Sequence, residues 1–161
     1  MILSFLRNKV MDVQQEKGGS LRIFWRLTET FLDASLEMQV RLPDLEITGV
    51  WGKLQRAPHK ECGSAAELLS KVVGVRVGPG LRKIVEGLIG GPAGCPELAE
   101  AVLECCNSVI LHFTVPQLQA TETGTEEERR ERFQAMVRFN PRLVRSCVAF
   151  ADDSPLMEGL V

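Results

Sequence analysis

Several features that usually announce a chemistry are missing from this 161-residue chain. Nineteen basic residues stand against twenty-one acidic ones. That leaves no charge excess to drive nucleic-acid binding, and the cations are scattered rather than striped. Neither phosphate fingerprint is present: no GxGxxG follows a strand, and there is no GxxxxGK[ST]. No G-x-S-x-G elbow occurs, and only two histidines, His59 and His112, could serve as a base, so a serine or cysteine hydrolase is hard to build. Long apolar runs are scarce too. Met1–Leu6 stops at Arg7, too short for a signal-peptide core, and no later segment approaches membrane-spanning length. These absences point to a cytoplasmic protein that contacts neither nucleic acid nor membrane and is more readily a non-enzyme than an enzyme.

What is present is a clear change of period along the chain. Leu21, Ile23, Trp25 and Leu27 alternate with Arg22, Phe24, Arg26 and Thr28, and Leu36, Met38, Val40 and Leu42 alternate with Glu37, Gln39 and Arg41. Residues 9–15 can pair with the first of these strands across Lys17-Gly18-Gly19-Ser20, and Pro43-Asp44 turns the chain into residues 46–54. The expected fold is therefore α+β: an antiparallel meander of about four strands with its apolar face covered by helices. Three segments supply the helices. Ser64-Ala65-Ala66-Glu67 has capping-box spacing ahead of Leu68, Leu69, Val72 and Val73. Leu81, Ile84, Val85 and Leu88 follow Gly78-Pro79-Gly80 at helical spacing. The longest helix starts at Pro96 and runs to about Phe113, with Leu98, Val102, Cys105, Val109 and Phe113 as its seam. Residues 121–124 read as a linker. Thr125 then caps an acidic first turn, with Glu126/Arg130 and Glu128/Arg132 spaced for surface pairs. We expect one domain over 1–161: a sheet-plus-helix core at 6–120 and a C-terminal helical extension at 125–161.

The chemistry-bearing residues are cysteines. Cys62, Cys95, Cys105, Cys106 and Cys147 make an odd number, which disfavours a disulfide framework and leaves metal binding, sulfur chemistry or burial. Cys105 and Cys106, adjacent on a helix, point about 100° apart and read as core. Cys95 closes the glycine-rich run Gly90-Gly91-Pro92-Ala93-Gly94 and precedes Pro96, so it is the expected N-cap, where the helix dipole favours a thiolate. Cys62 precedes the capped segment, and Cys147 lies near the C-terminus. Soft thiolates select zinc, copper(I) or iron–sulfur species. Glu97 and His59 are the residues that could complete such a shell; for each the plainer alternative is a dipole-compensating acid and a loop histidine.

Read together, Leu36–Leu42, Ala57-Pro58 before Cys62, Val73–Arg82 and Gly90–Cys95 resemble the bacterial family catalogued as domain of unknown function 2889. The resemblance extends back to Leu27-Thr28-Glu29-Thr30 and forward to Asn140-Pro141 and Ser146-Cys147, about residues 6–150 in all. Members typically carry Thr-His where this chain has Pro96-Glu97, and often His where it has Val148; Glu37 stands where Asp is usual. If the family's cysteines and histidines form a metal site, the resemblance implies that this chain keeps three thiols and lacks both imidazoles. More remotely, the meander, the Cys62-Gly63 step and Cys95 at a helix start are similar to SufE/NifU-like proteins of the IscU scaffold type. In those, cysteines at helix starts hold a nascent cluster or accept sulfur.

Two functions follow as expectations. One is a metal- or sulfur-handling accessory protein using Cys62, Cys95 and Cys147 with Glu97 or His59, its cofactor zinc or an iron–sulfur cluster. The other is a non-catalytic interaction protein that docks on a partner protein, its cysteines being structural. A homo-oligomer fits either, because the exposed edge of a meander needs covering by a helix or another chain.

Overall fold

The computed structural model describes residues 2–160, apart from the side chains at 93 and 121. Those residues divide into two compact units, Met1–His112 and Phe113–Val161. The first is built on a four-stranded antiparallel sheet of order β1-β2-β3-β4, with β1 at Arg7–Glu16, β2 at Ser20–Glu29, β3 at Asp33–Arg41 and β4 at Glu46–Arg56. The β1–β2 turn uses Gly19 at φ 79°, a left-handed conformation that glycine adopts without a Cβ penalty.

Alternation decides the faces. Leu21, Ile23, Trp25 and Leu27 from β2 and Ala34, Leu36, Met38 and Val40 from β3 are all buried on one side. Burying a Leu or Ile side chain contributes about 1.5–3 kcal/mol, so this inner layer dominates the energetics of the first unit. Strand β4 would break the pattern but for a register shift between Gln39 and Val40 of its partner. Val40 pairs with Ile47 and Gln39 with Gly49, leaving Thr48 as an extra residue. Ile47 and Val50 thereby both reach the core, while Trp51 turns to the opposite face.

The two sheet edges differ. Leu45–Ile47 is paired by the segment after residue 73: Gly74 N–H donates to Ile47 O at 2.8 Å, Ile47 N–H to Val75 O at 2.9 Å and Val77 N–H to Leu45 O at 3.0 Å. Strand β1, at the other edge, is exposed along nearly its whole length. Its inward parity carries Arg7 and Lys9 before Met11 and Val13, and an inward-pointing charge is one way natural sheets keep an edge from pairing.

The helical cover departs from the sequence expectation in three places. Lys60–Val72 forms a 3-10 segment, and Ser64 does not cap it: its hydroxyl donates back to Glu61 O at 2.9 Å. Side-chain-to-backbone bonding of this kind competes with the cap. Helix α1, Leu81–Ile89, buries Val85 and Ile89 but leaves Ile84 exposed. Helix α2, Pro96–Glu122, passes through Pro116 and the stretch read as a linker, well beyond Phe113. Its residues Leu98, Val102, Cys105 and Val109 are buried as expected, joined by Ala99, Ala101 and Cys106. Contrary to the expectation of no membrane-length segment, Pro96–Ala120 is long and apolar enough to cross a bilayer, with a mean hydropathy of 1.4 in a window that is 44% buried inside the protein. A core helix passes the same test.

The second unit contains α3, Glu126–Phe139, capped by Thr125 in a full capping box with Glu128. The expected pairs of Glu126 with Arg130 and Glu128 with Arg132 give way to longer reaches. Arg130 bonds Glu158 at 3.2 Å, and Arg132 donates to the carbonyls of Ala120 and Thr123 that end α2. Phe133 stacks on Phe150 at 5.4 Å, and Arg145 forks onto Asp152.

The loop joining α1 to α2 sets a stability test with two signs. A Cβ on Gly94 would lie 1.9 Å from Ile89 O, the carbonyl that Cys95 N–H uses, whereas one on Gly87 would meet nothing within 4 Å. Urea unfolding should show Gly87→Ala stabilised by about 0.5–1 kcal/mol and Gly94→Ala destabilised by more than about 2 kcal/mol. Equal effects would contradict this packing of the loop.

Candidate functional site

Each sulfur candidate has a definite place. Cys95 is the N-cap of α2: its carbonyl accepts the Ala99 N–H at 3.0 Å, and its half-buried side chain packs on the core. Cys62 is half-buried inside the first turn of the 3-10 segment rather than ahead of a helix, and its N–H donates to His59 O at 3.2 Å. His59 is exposed at the start of that segment and makes no side-chain cap bond. Cys147 is exposed in the second unit, beside Val148–Phe150. Glu97 is engaged by Arg7, with Lys9 Nζ 3.9 Å away. Among the described residues no three His, Cys, Asp or Glu side chains form a group able to hold a metal ion. Cys105 and Cys106 are core. Burial pushes both thiols up, Cys106 to about 12, so neither is a thiolate at neutral pH.

The acids of α2 do structural work instead. Glu104 accepts the Trp25 indole N–H at 2.5 Å and the Lys9 ammonium at 2.7 Å, while Arg7 joins Glu97 to Glu29, 2.8 Å away. This seam explains the cationic inward parity of β1: the strand meets the acidic flank of a helix rather than its apolar stripe. Next to Glu104, Val77–Arg82 and α2 line a recess of about 540 Å³. Arg82 there bonds Glu86 and Glu100, each at 3.1 Å, which places the run that carries the family resemblance against the helix.

A broader concavity lies on the other side of the sheet, on the face that the 3-10 segment, α1 and the buried part of α2 leave open. It encloses about 800 Å³ and is lined by all four strands. Pairing arranges its side chains in cross-strand rows. Val10, Arg26, Ser35 and Lys53 form one row, and Asp12, Phe24, Glu37 and Trp51 form the next. Trp51 is 57% exposed and its ring lies over Gly49, where a Cβ would come within 2.3 Å of it. Val10 is exposed to the same degree. Arg22, in the third row, neutralises Glu37 at 3.1 Å and Glu16 at 2.8 Å. Glu16 is held below the usual carboxylate range by hydrogen bonds from Ser20 and Gln39 and by Arg22. A broad concavity with apolar anchors and a charged rim suits recognition.

Phe24 and Trp51 are not among the chemistry-bearing residues that stand out in the sequence. A signal existed: each aromatic is followed two residues later by a cation, Phe24-Trp25-Arg26 and Trp51-Gly52-Lys53. Phe24 also falls on the polar parity of β2, where a large apolar side chain has no core to enter.

Comparison with known proteins supports the family. The chain belongs to the family described as Protein of unknown function (DUF2889), whose sequence profile matches residues 8–110. The match covers the sheet, the 3-10 segment, α1 and the buried part of α2, and it stops short of Asn140-Pro141 and Ser146-Cys147. No curated protein and no solved structure matches the chain.

Thiol accessibility tests the placement of the cysteines. Titration of the native protein with a disulfide reagent at mildly alkaline pH should label Cys147 fastest and Cys62 and Cys95 slowly. Cys105 and Cys106 should react only after denaturation. Rapid native labelling of the Cys105-Cys106 pair would contradict the buried seam of α2.

Proposed function

We propose that the protein is a non-catalytic interaction module that docks a partner protein on the open face of its sheet. The supporting observation is the one-sided cover. Helices bury the inner face, while the outer face keeps Trp51, Phe24 and Val10 in an 800 Å³ concavity. A large aromatic held in the open on a rigid sheet is the kind of anchor that carries interface energy. Strands fix it better than a loop would, and the glycine beneath it leaves room for the ring.

The sulfur- or metal-handling reading, with its SufE/NifU-like fold, draws on Cys95 at the N-cap of α2. Its proposed shell is spoken for elsewhere: Cys95 packs on the core and Glu97 is bound by Arg7. Docking accounts for more of the molecule. On this proposal the cysteines are structural and the protein acts by holding its partner.

Affinity purification from the native host tests the proposal. The wild type and Ile84→Ala, an exposed change on α1, should retain a common partner. Trp51→Ala should lose it while melting at the wild-type temperature, since an exposed anchor of this type contributes about 2 kcal/mol or more to binding and little to folding. Equal retention by all three proteins would contradict the proposal.

A further inference from the structure

The charges around the concavity specify the partner further, if the docking reading holds. Most cations on the strands are already matched: Arg7 and Lys9 by acids of β2 and α2, Arg22 by Glu16 and Glu37, and Arg41 by Asp44 and Glu46. Arg56 donates to Glu29 O. Among the described residues Arg26 and Lys53 carry no ion pair, and both line the concavity, exposed. They share one cross-strand row, bridged by Ser35, and so stand about 10 Å apart at Cα.

Each of these cations belongs to a pair. Phe24 and Arg26 lie two residues apart on one face of β2, and Trp51 and Lys53 do the same on β4. Both strands run antiparallel to β3, so the two pairs point in the same direction. The surface thus repeats one element, an aromatic with a cation about 7 Å beyond it along the strand. We propose that this repeated aromatic–cation pair recognises an acidic, apolar-anchored segment of a partner protein. The partner's large apolar side chains would lie on Phe24 and Trp51 and its carboxylates against Arg26 and Lys53. A polyanion such as single-stranded nucleic acid also combines stacking with cations, but the aromatic row here contains Asp12, which among the described residues has no ion pair, unlike Glu37, and would face its phosphates. Separate carboxylates set beside apolar groups fit this alternation, and a continuous line of phosphates does not.

Selection from a random peptide library displayed on phage, against the full chain, tests the inference, with oligothymidylate as a second probe. Enriched peptides should pair Asp or Glu with a neighbouring large apolar residue and bind more weakly as salt is raised. Their affinity should fall at least about tenfold in Trp51→Ala and again in the Arg26→Glu/Lys53→Glu double variant. The variants alter exposed side chains only, and a urea-unfolding midpoint within error of the wild type verifies their folding. Enriched peptides without acids, or binding lost in Trp51→Ala yet indifferent to the charge reversals, would overturn the acidic-partner inference and leave the docking reading standing. Oligothymidylate binding that the same variants abolish would also overturn it. No enrichment, or binding indifferent to Trp51→Ala, would overturn both.

Discussion

One extra residue in β4 controls what the sheet offers to its surroundings. Without the bulge at Thr48, strict alternation from Ile47 would send Trp51 into the core and Val50 out of it. With it, two aliphatic residues reach the inner layer and the indole is set outside. Two glycines make this arrangement fit. Gly49 leaves room for the Trp51 ring, and Gly52, on the inner face, leaves room for Leu69, whose Cδ1 would be 2.3 Å from a Cβ there. The bulge therefore links core packing to surface chemistry: the shift that fills the interior also exposes the anchor.

The opposite side of the sheet shows what holds α2 against the inner layer. Leu98, Val102, Cys105 and Val109 present an apolar stripe to the inner layer, and the acids beside it meet the cations of β1. Surface ion pairs contribute little individually, about 0–1 kcal/mol, so the hydrophobic stripe supplies most of the hold. The Trp25–Glu104 bond differs in kind, because a buried indole N–H without an acceptor costs about 1–3 kcal/mol. Glu104 thus fixes the rotation of α2 about its axis, a role that no propensity scale assigns to a helix-surface glutamate.

Much of the architecture was legible in the sequence because it rests on period. The alternation in 21–27 and 36–42 specified two strands and their buried faces, and the stripe from Leu98 specified the inner helix. Where period competes with local bonding, legibility failed. Ser64 bonds back to Glu61 rather than capping, and α2 runs on past Pro116 to an end whose carbonyls accept from Arg132. The candidate site was harder still. Cysteines invite attention singly, by residue type and position, but coordination requires convergence, and Cys95 and Glu97 are each engaged by other groups. Trp51 has the reverse problem: nothing about it is conspicuous until the register of β4 is known, since the bulge alone decides which face it takes.

The central claim, that the open face is where a partner sits, is tested most directly by photo-crosslinking in the native host. A photoreactive amino acid at position 24, on the open face, is compared with one at position 84, on the exposed side of α1. The account predicts a discrete cross-linked species from position 24 that position 84 does not give. An identical pattern from both positions, or cross-links from position 84 alone, would contradict it.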